Sequence, residues 1–190
     1  MAETIQFAVD QNASREEDME MVHSAQESLA GFKRLYLKWL PLVYRYVYYR
    51  LGNVKDAEDL TSQVFLKVYE ELPRYRDGGQ FSAWLFTIVR HKMADFFRSQ
   101  KPTVPFELAN PTDQNSDPLA LTIQTDEIER LQKLIRSLPE EDQELIRLRF
   151  VVGLGYREIG ALLNRKEDAV RKSLSRLLAR LQSQLETSHD

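Results

Sequence analysis

Residues 156–177 read YREIGALLNRKEDAVRKSLSRL. Gly153 and Gly155 punctuate the chain just before this stretch, and apolar residues then recur at helical spacing as far as Leu163. The turn at Asn164 admits a second, longer helix whose Val170, Leu174, Leu177, Leu181 and Leu185 line one side. Asn164 and Glu167 have the spacing of a helix cap and its reciprocal partner. A short helix, a tight turn and a longer helix make a helix-turn-helix candidate. At about 100° per residue, the side opposite the apolar stripe carries Asp168, Lys172, Ser175 and Arg176, with Arg171 on its flank. A basic face alone is ordinary solvated surface, but a short helix and turn directly ahead of it make a candidate for the major groove. Residues 163–182 hold six bases and two acids, and arginine can pair bidentately with guanine while lysine neutralises phosphate.

Working back from that stretch, Thr125 is a candidate N-cap before Asp126 and Glu127, and Ile128, Leu131, Leu134 and Leu138 form a further stripe. Pro139 suits the first turn of a helix through Phe150. Before this block, four of the seven prolines fall within residues 102–118, where proline removes a donor and biases its predecessor away from helix. Residues 102–125 are therefore expected to be an acidic linker. Upstream, Phe32, Leu35, Trp39, Val43 and Val47 make a stripe in which Pro41 either kinks the helix or starts a second one. Gly52-Asn53 ends it, a second helix runs from about Lys55 to Leu72, and Pro73 stops that. A loop over residues 74–79 leads to a third helix, Gln80 to Gln100, expected to bury Phe81, Trp84, Leu85, Ile88 and Phe96. The fold class expected is all-α: two small helical domains, at 29–101 and 126–186, behind an acidic tail at 1–28.

Composition bounds the function. The chain has 190 residues, 43% hydrophobic and 29% charged, enough for one sizeable core or two small ones and too apolar for general disorder. Zero cysteines exclude disulfides, thiol catalysis and thiolate metal sites, and three histidines leave little room for a metalloenzyme. The amino terminus has neither a basic start nor an apolar signal core, and no apolar run reaches about 18 residues, so a cytoplasmic protein without membrane insertion is expected. The net charge of −3 conceals segments: residues 1–30 and 102–129 each carry −6, whereas residues 31–101 carry +6 and residues 130–190 carry +3. A sequence pI near 5.7 argues against coating DNA through bulk charge and leaves local basic faces open.

The helix FSAWLFTIVRHKMADFFRSQ at 81–100 is both aromatic and basic, and aromatics beside arginines can stack on unpaired bases. Tyr75, in the preceding loop, is hard to explain as core. The acids Asp56, Glu58 and Asp59 begin a helix, where the dipole alone favours them. Glu20 to His23 and Glu186 to His189 each have the E-x-x-H spacing of a di-iron bundle, a remote alternative without a second carboxylate pair. A free-standing helix-turn-helix regulator is the nearer alternative, and it leaves the first domain without a role.

Three motifs carry a resemblance. They are Asp56-Ala57-Glu58-Asp59-Leu60-Thr61 with Val64-Phe65, then Phe81-x-x-Trp84-Leu85-x-x-Ile88, then Leu138-Pro139 followed by the helix-turn-helix with Val170-Arg171. In this order and at these distances the chain resembles the sigma-70 family of bacterial RNA polymerase initiation factors, in its small extracytoplasmic-function (ECF) group. The resemblance implies that the first domain binds core RNA polymerase through Asp56, Glu58, Asp59, Gln63 and Phe65. It implies contacts to melted minus-ten DNA by Tyr75, Arg76, His91, Lys92 and Arg98. Duplex minus-thirty-five DNA would meet Arg149, Tyr156, Arg165, Lys166, Arg171, Lys172, Ser175 and Arg176. The partners implied are core RNA polymerase, promoter DNA and an anti-sigma factor, with no cofactor, metal or catalytic residue. The chain departs from the family pattern at Ser62-Gln63, at His91 where asparagine is common, and at Asn164-Arg165-Lys166 in the turn.

Overall fold

A computed structural model describes residues 17–76, 80–99 and 126–187 of the chain. It divides into two compact units. The segment expected as linker, and Thr125, lie outside the described residues.

The first unit opens with helix α1 over residues 17–27, so the described part of the acidic tail is helix. Ser28 alone separates it from α2, Leu29–Leu51, and its hydroxyl caps α2 by accepting from the Gly31 N–H at 3.0 Å. The helix runs unbroken through Pro41, which lies on its exposed side. Gly52 ends it in the left-handed region at φ 68, donating to the Tyr48 carbonyl at 2.8 Å. Asn53 then caps α3, Val54–Glu71, through its side chain and the Asp56 N–H, 3.1 Å apart. A 3-10 turn, Leu72–Arg74, precedes α4, Phe81–Ser99. Because each helix shows apolar residues at three- and four-residue spacing, the stripes meet: Leu35, Trp39, Val43, Tyr46 and Val47 of α2, Ala57, Leu60, Val64 and Val68 of α3, and Phe81, Leu85, Phe86 and Val89 of α4 are buried. Tyr46 meets Phe86 edge-on at 5.3 Å, and Trp39 meets Phe81 at 5.7 Å. Trp84 and Phe96, expected in this core, are only half-buried at its margin.

In the second unit α5, Asp126–Ser137, leads through buried Leu138 to Pro139, which stands just before α6, Glu140–Ile146. The helix expected to continue through Phe150 does so with wider winding: Arg147–Val151 is a π turn in which the Val152 N–H donates to the Arg147 carbonyl at 3.0 Å. Then come α7, Tyr156–Leu163, and α8, Glu167–Thr187. Leu138, Ile146, Leu177 and Leu181 form an apolar cluster against which Leu134 and Ile135 pack. Beside it lies an ionic network. The buried Arg147 reaches the buried Glu144 at 3.3 Å, the Gln143 carboxamide oxygen at 3.3 Å and the exposed Glu140 carboxylate. No described helix is long and apolar enough to cross a membrane.

Candidate nucleic-acid interface

Asn164 ends α7 rather than starting α8, which corrects the capping expected for it. It sits in the left-handed region at φ 53, ψ 45, and the Arg165 N–H closes back on the Gly160 carbonyl at 2.8 Å. Asparagine tolerates that conformation better than residues whose side chains cannot bond locally. The return is tight because position 160 has no side chain: a Cβ there would stand 2.6 Å from the Arg165 carbonyl oxygen. The reciprocal cap belongs to α7, where the Glu158 carboxylate accepts from the Gly155 N–H at 2.6 Å.

This turn holds α8 with Val170, Leu174, Leu177 and Leu181 buried beneath it. The opposite face is open: Asp168, Arg171, Lys172, Ser175 and Arg176 are all exposed, as is Lys166 just before the helix. Three of the five on the face are cations within about two and a half turns of helix, the length that a major groove receives. Arg171 is already engaged, with Nη2 2.7 Å from Glu167 Oε1, Nη1 3.7 Å from Asp168 Oδ1, and its guanidinium 5.5 Å from the Tyr156 ring centre. Arg165 is half-buried and donates to the Ser173 hydroxyl at 2.6 Å. Arg149 is half-buried, holds the Leu154 carbonyl at 2.9 Å and lies 4.8 Å over Tyr156. Those two contacts direct its guanidinium to the chain leading into α7, which makes it a brace.

On the first unit, Trp84, His91 and Arg98 recur every seven residues along α4 and so share one face, each about 10 Å from the next. His91 and Arg98 are exposed, Trp84 and Lys92 are half-buried, and Arg98 is paired with Asp95. Tyr75 packs against Trp84 at 4.7 Å and against Phe81 at 5.8 Å, so the loop residue that resisted assignment to the core caps its aromatic edge. Arg76 is exposed, its Nη1 3.3 Å from the Pro73 carbonyl oxygen. Aromatic rings, an imidazole and cations along one track offer stacking surfaces and phosphate partners together. Trp84 joins this surface although its apolar character pointed to the core.

A third surface is acidic. Glu58, Asp59 and Gln63 are exposed on α3, with Asp56 half-buried at its first turn. Burial, and next the charge of Glu58, raises the Tyr44 hydroxyl above its ordinary range. Phe65 does not belong to this surface: it is 4% exposed and packs edge-on to Tyr36 at 4.7 Å. Leu66 and Tyr69 supply the apolar exposure instead, at 61% and 53%, a pair marked in sequence only by its i, i+3 spacing outside the buried stripe.

The family model described as Sigma-70 region 2 matches residues 35–103, and the one described as Sigma-70, region 4 matches residues 128–181. A curated relative, the ECF RNA polymerase sigma factor SigD of Mycobacterium tuberculosis, is 34% identical over 158 residues, 79% of this chain and 74% of that protein. The chain belongs to the ECF group of the sigma-70 family. The ECF sigma factor BldN of Streptomyces coelicolor is 34% identical over 172 residues, 84% of this chain, and the match spans 65% of that longer protein. A co-crystal structure of the sigma factor RpoE with the anti-sigma factor NepR, from Bartonella quintana, shares the fold at 24% identity and a TM-score of 0.63, covering 82% of this chain and 96% of that one.

Proposed function

We propose that this sigma factor binds core RNA polymerase, brings it to specific promoters, and performs no chemistry of its own. The single observation that supports the reading best is a pair of exposed faces of different chemistry on two separate units, one basic and helical, the other aromatic and basic. The basic face of α8 suits duplex DNA, since its cations stand on a helix narrow enough for the major groove. The Trp84, His91 and Arg98 track, with Tyr75 at its edge, suits unpaired bases, which duplex readers do not need. Residues 29–101 are then the domain for polymerase and the melted minus-ten element, and residues 126–186 the domain for the minus-thirty-five element. Residues 102–125 are the acidic linker between them, and the chain works in the cytoplasm.

Core polymerase docks on the acidic and apolar face of α3 through Glu58, Asp59, Gln63, Leu66 and Tyr69. Arg76, Lys92 and Arg98 take phosphates or bases of the melted strand, while Lys166, Arg171, Lys172, Ser175 and Arg176 take the duplex. An anti-sigma factor is the inhibitory partner. In vitro transcription with core polymerase and a genomic fragment library tests the reading. Promoter-specific transcripts that appear only when the chain is added support it. Operator binding by the chain without polymerase, and no transcription with it, would mark a free-standing regulator instead.

A further inference from the structure

Gln26 lies in the tail for which sequence offered no role, yet its carboxamide clasps the chain leading to the minus-ten surface from far away in sequence. Nε2 donates to the Leu72 carbonyl at 2.8 Å and to the Tyr75 carbonyl at 3.0 Å, across 46 and 49 residues of sequence. An amide nitrogen has two hydrogens, so both donors are used. The acceptors stand just past α3, on the 3-10 turn and its exit. The Leu72 carbonyl also takes the Tyr75 N–H at 3.1 Å, so Gln26 adds a second donor there and ties the turn to α1 from outside. Its own position is fixed: α1 buries Val22 and Ala25, Asp18 pairs with Lys38 at 2.7 Å, and Arg34 donates to the Ser24 hydroxyl at 2.6 Å.

We propose that Gln26 is a positioning residue for minus-ten recognition: it fixes the direction in which the chain leaves α3 and so the placement of Tyr75 and Arg76. This rests on the reading above that Tyr75 and Arg76 meet the melted strand. Fixing a contact group beforehand removes an ordering cost that binding would otherwise bear. Losing two ordinary hydrogen bonds at this point should then weaken capture of the melted element about tenfold.

The test uses the full chain assembled with core polymerase, and fork-junction DNA whose single-stranded minus-ten segment is randomised. Gln26→Leu and Gln26→Met, which keep an apolar stem and lose both donors, should each release the fork about tenfold faster and broaden base preference, with polymerase binding unchanged. Unaltered release and preference in both, while Tyr75→Ala loses capture, would overturn the clasp and leave the minus-ten reading standing. If Tyr75→Ala and Arg76→Ala also leave capture intact, the minus-ten reading itself fails. Loss of helical content in both Gln26 variants would overturn the proposal too, because the clasp would then hold the fold and not aim the chain.

Discussion

Replacing Gly31 by alanine sets two opposed effects against each other. In a helix interior alanine is favoured over glycine by about 1 kcal/mol. Against that, a Cβ at position 31 would overlap the Ser24 carbonyl and stand 2.6 Å from its Oγ, whereas such contacts settle at about 3.5–4.0 Å. The Ser24 carbonyl cannot swing away cheaply, since it accepts from the Ser28 N–H at 3.1 Å and the Ser28 hydroxyl at 3.2 Å. The corner must therefore open by about 1 Å or more, and α1 lifts from α2. Lifting exposes Val22, now 1% exposed, at about 1.5–3 kcal/mol, and breaks both Gln26 bonds at about 0.5–1.5 kcal/mol each. The loss exceeds the propensity gain by about 1.5–5 kcal/mol, so Gly31→Ala destabilises the docking of α1 while leaving the helices behind it folded. Hydrogen exchange on the full chain reads this directly: amides of residues 17–27 should exchange at least about tenfold faster, with those of α3 unchanged. Equal or slower exchange at residues 17–27 would refute the reasoning, because propensity would have won.

Other perturbations separate effects elsewhere. Arg147→Met strands the Glu144 carboxylate and should cost the second unit about 3–5 kcal/mol in denaturant unfolding, whereas Arg147→Met with Glu144→Leu should recover most of it. Asn164→Ala should lower stability by about 1–2 kcal/mol through its left-handed backbone, and Asn164→Gly should not, as thermal melts would show. Phe65→Ala should cost about 3–5 kcal/mol of stability, while Asp59→Ala with Gln63→Ala weakens polymerase pull-down without changing the melting temperature. Lys172→Ala should reduce the salt slope of promoter binding by about 0.9 if its partner is a single phosphate, and relax one base position if it reads an edge.

The helices and their buried stripes were legible in sequence because a 3.6-residue period repeats over several turns and needs no distant partner. Capping was less so: Asn164 is a competent cap at either end, and only its left-handed backbone shows that it closes α7. The π turn at Arg147–Val151 was invisible, since a bond to the fifth residue back replaces one to the fourth without any change of residue type. Phe65 has a surface role only through the resemblance, and its spacing from Thr61 and Val68 fits the buried side. Trp84 shows the converse, an apolar residue at the margin of a core too narrow to cover it. Gln26 had no local signal at all, because its partners lie 46 and 49 residues away.

The ring of contacts around Arg171 bears on how the DNA face responds to electrolyte. A solvated arginine that takes a phosphate expels ions from around the DNA, and that release is what steepens the salt dependence. Arg171 instead arrives already loaded, with Glu167 and Asp168 occupying its guanidinium. If Arg171 takes a phosphate as proposed, it exchanges one anion for another, and the start of α8 then works as an ion exchanger charged with its own carboxylates. Glu167→Gln would remove the nearer of the two charges and leave Asp168. That variant should bind promoter DNA more tightly at low salt and lose the advantage as salt rises, since its affinity then depends more on ions from solution and less on partners the helix carries with it.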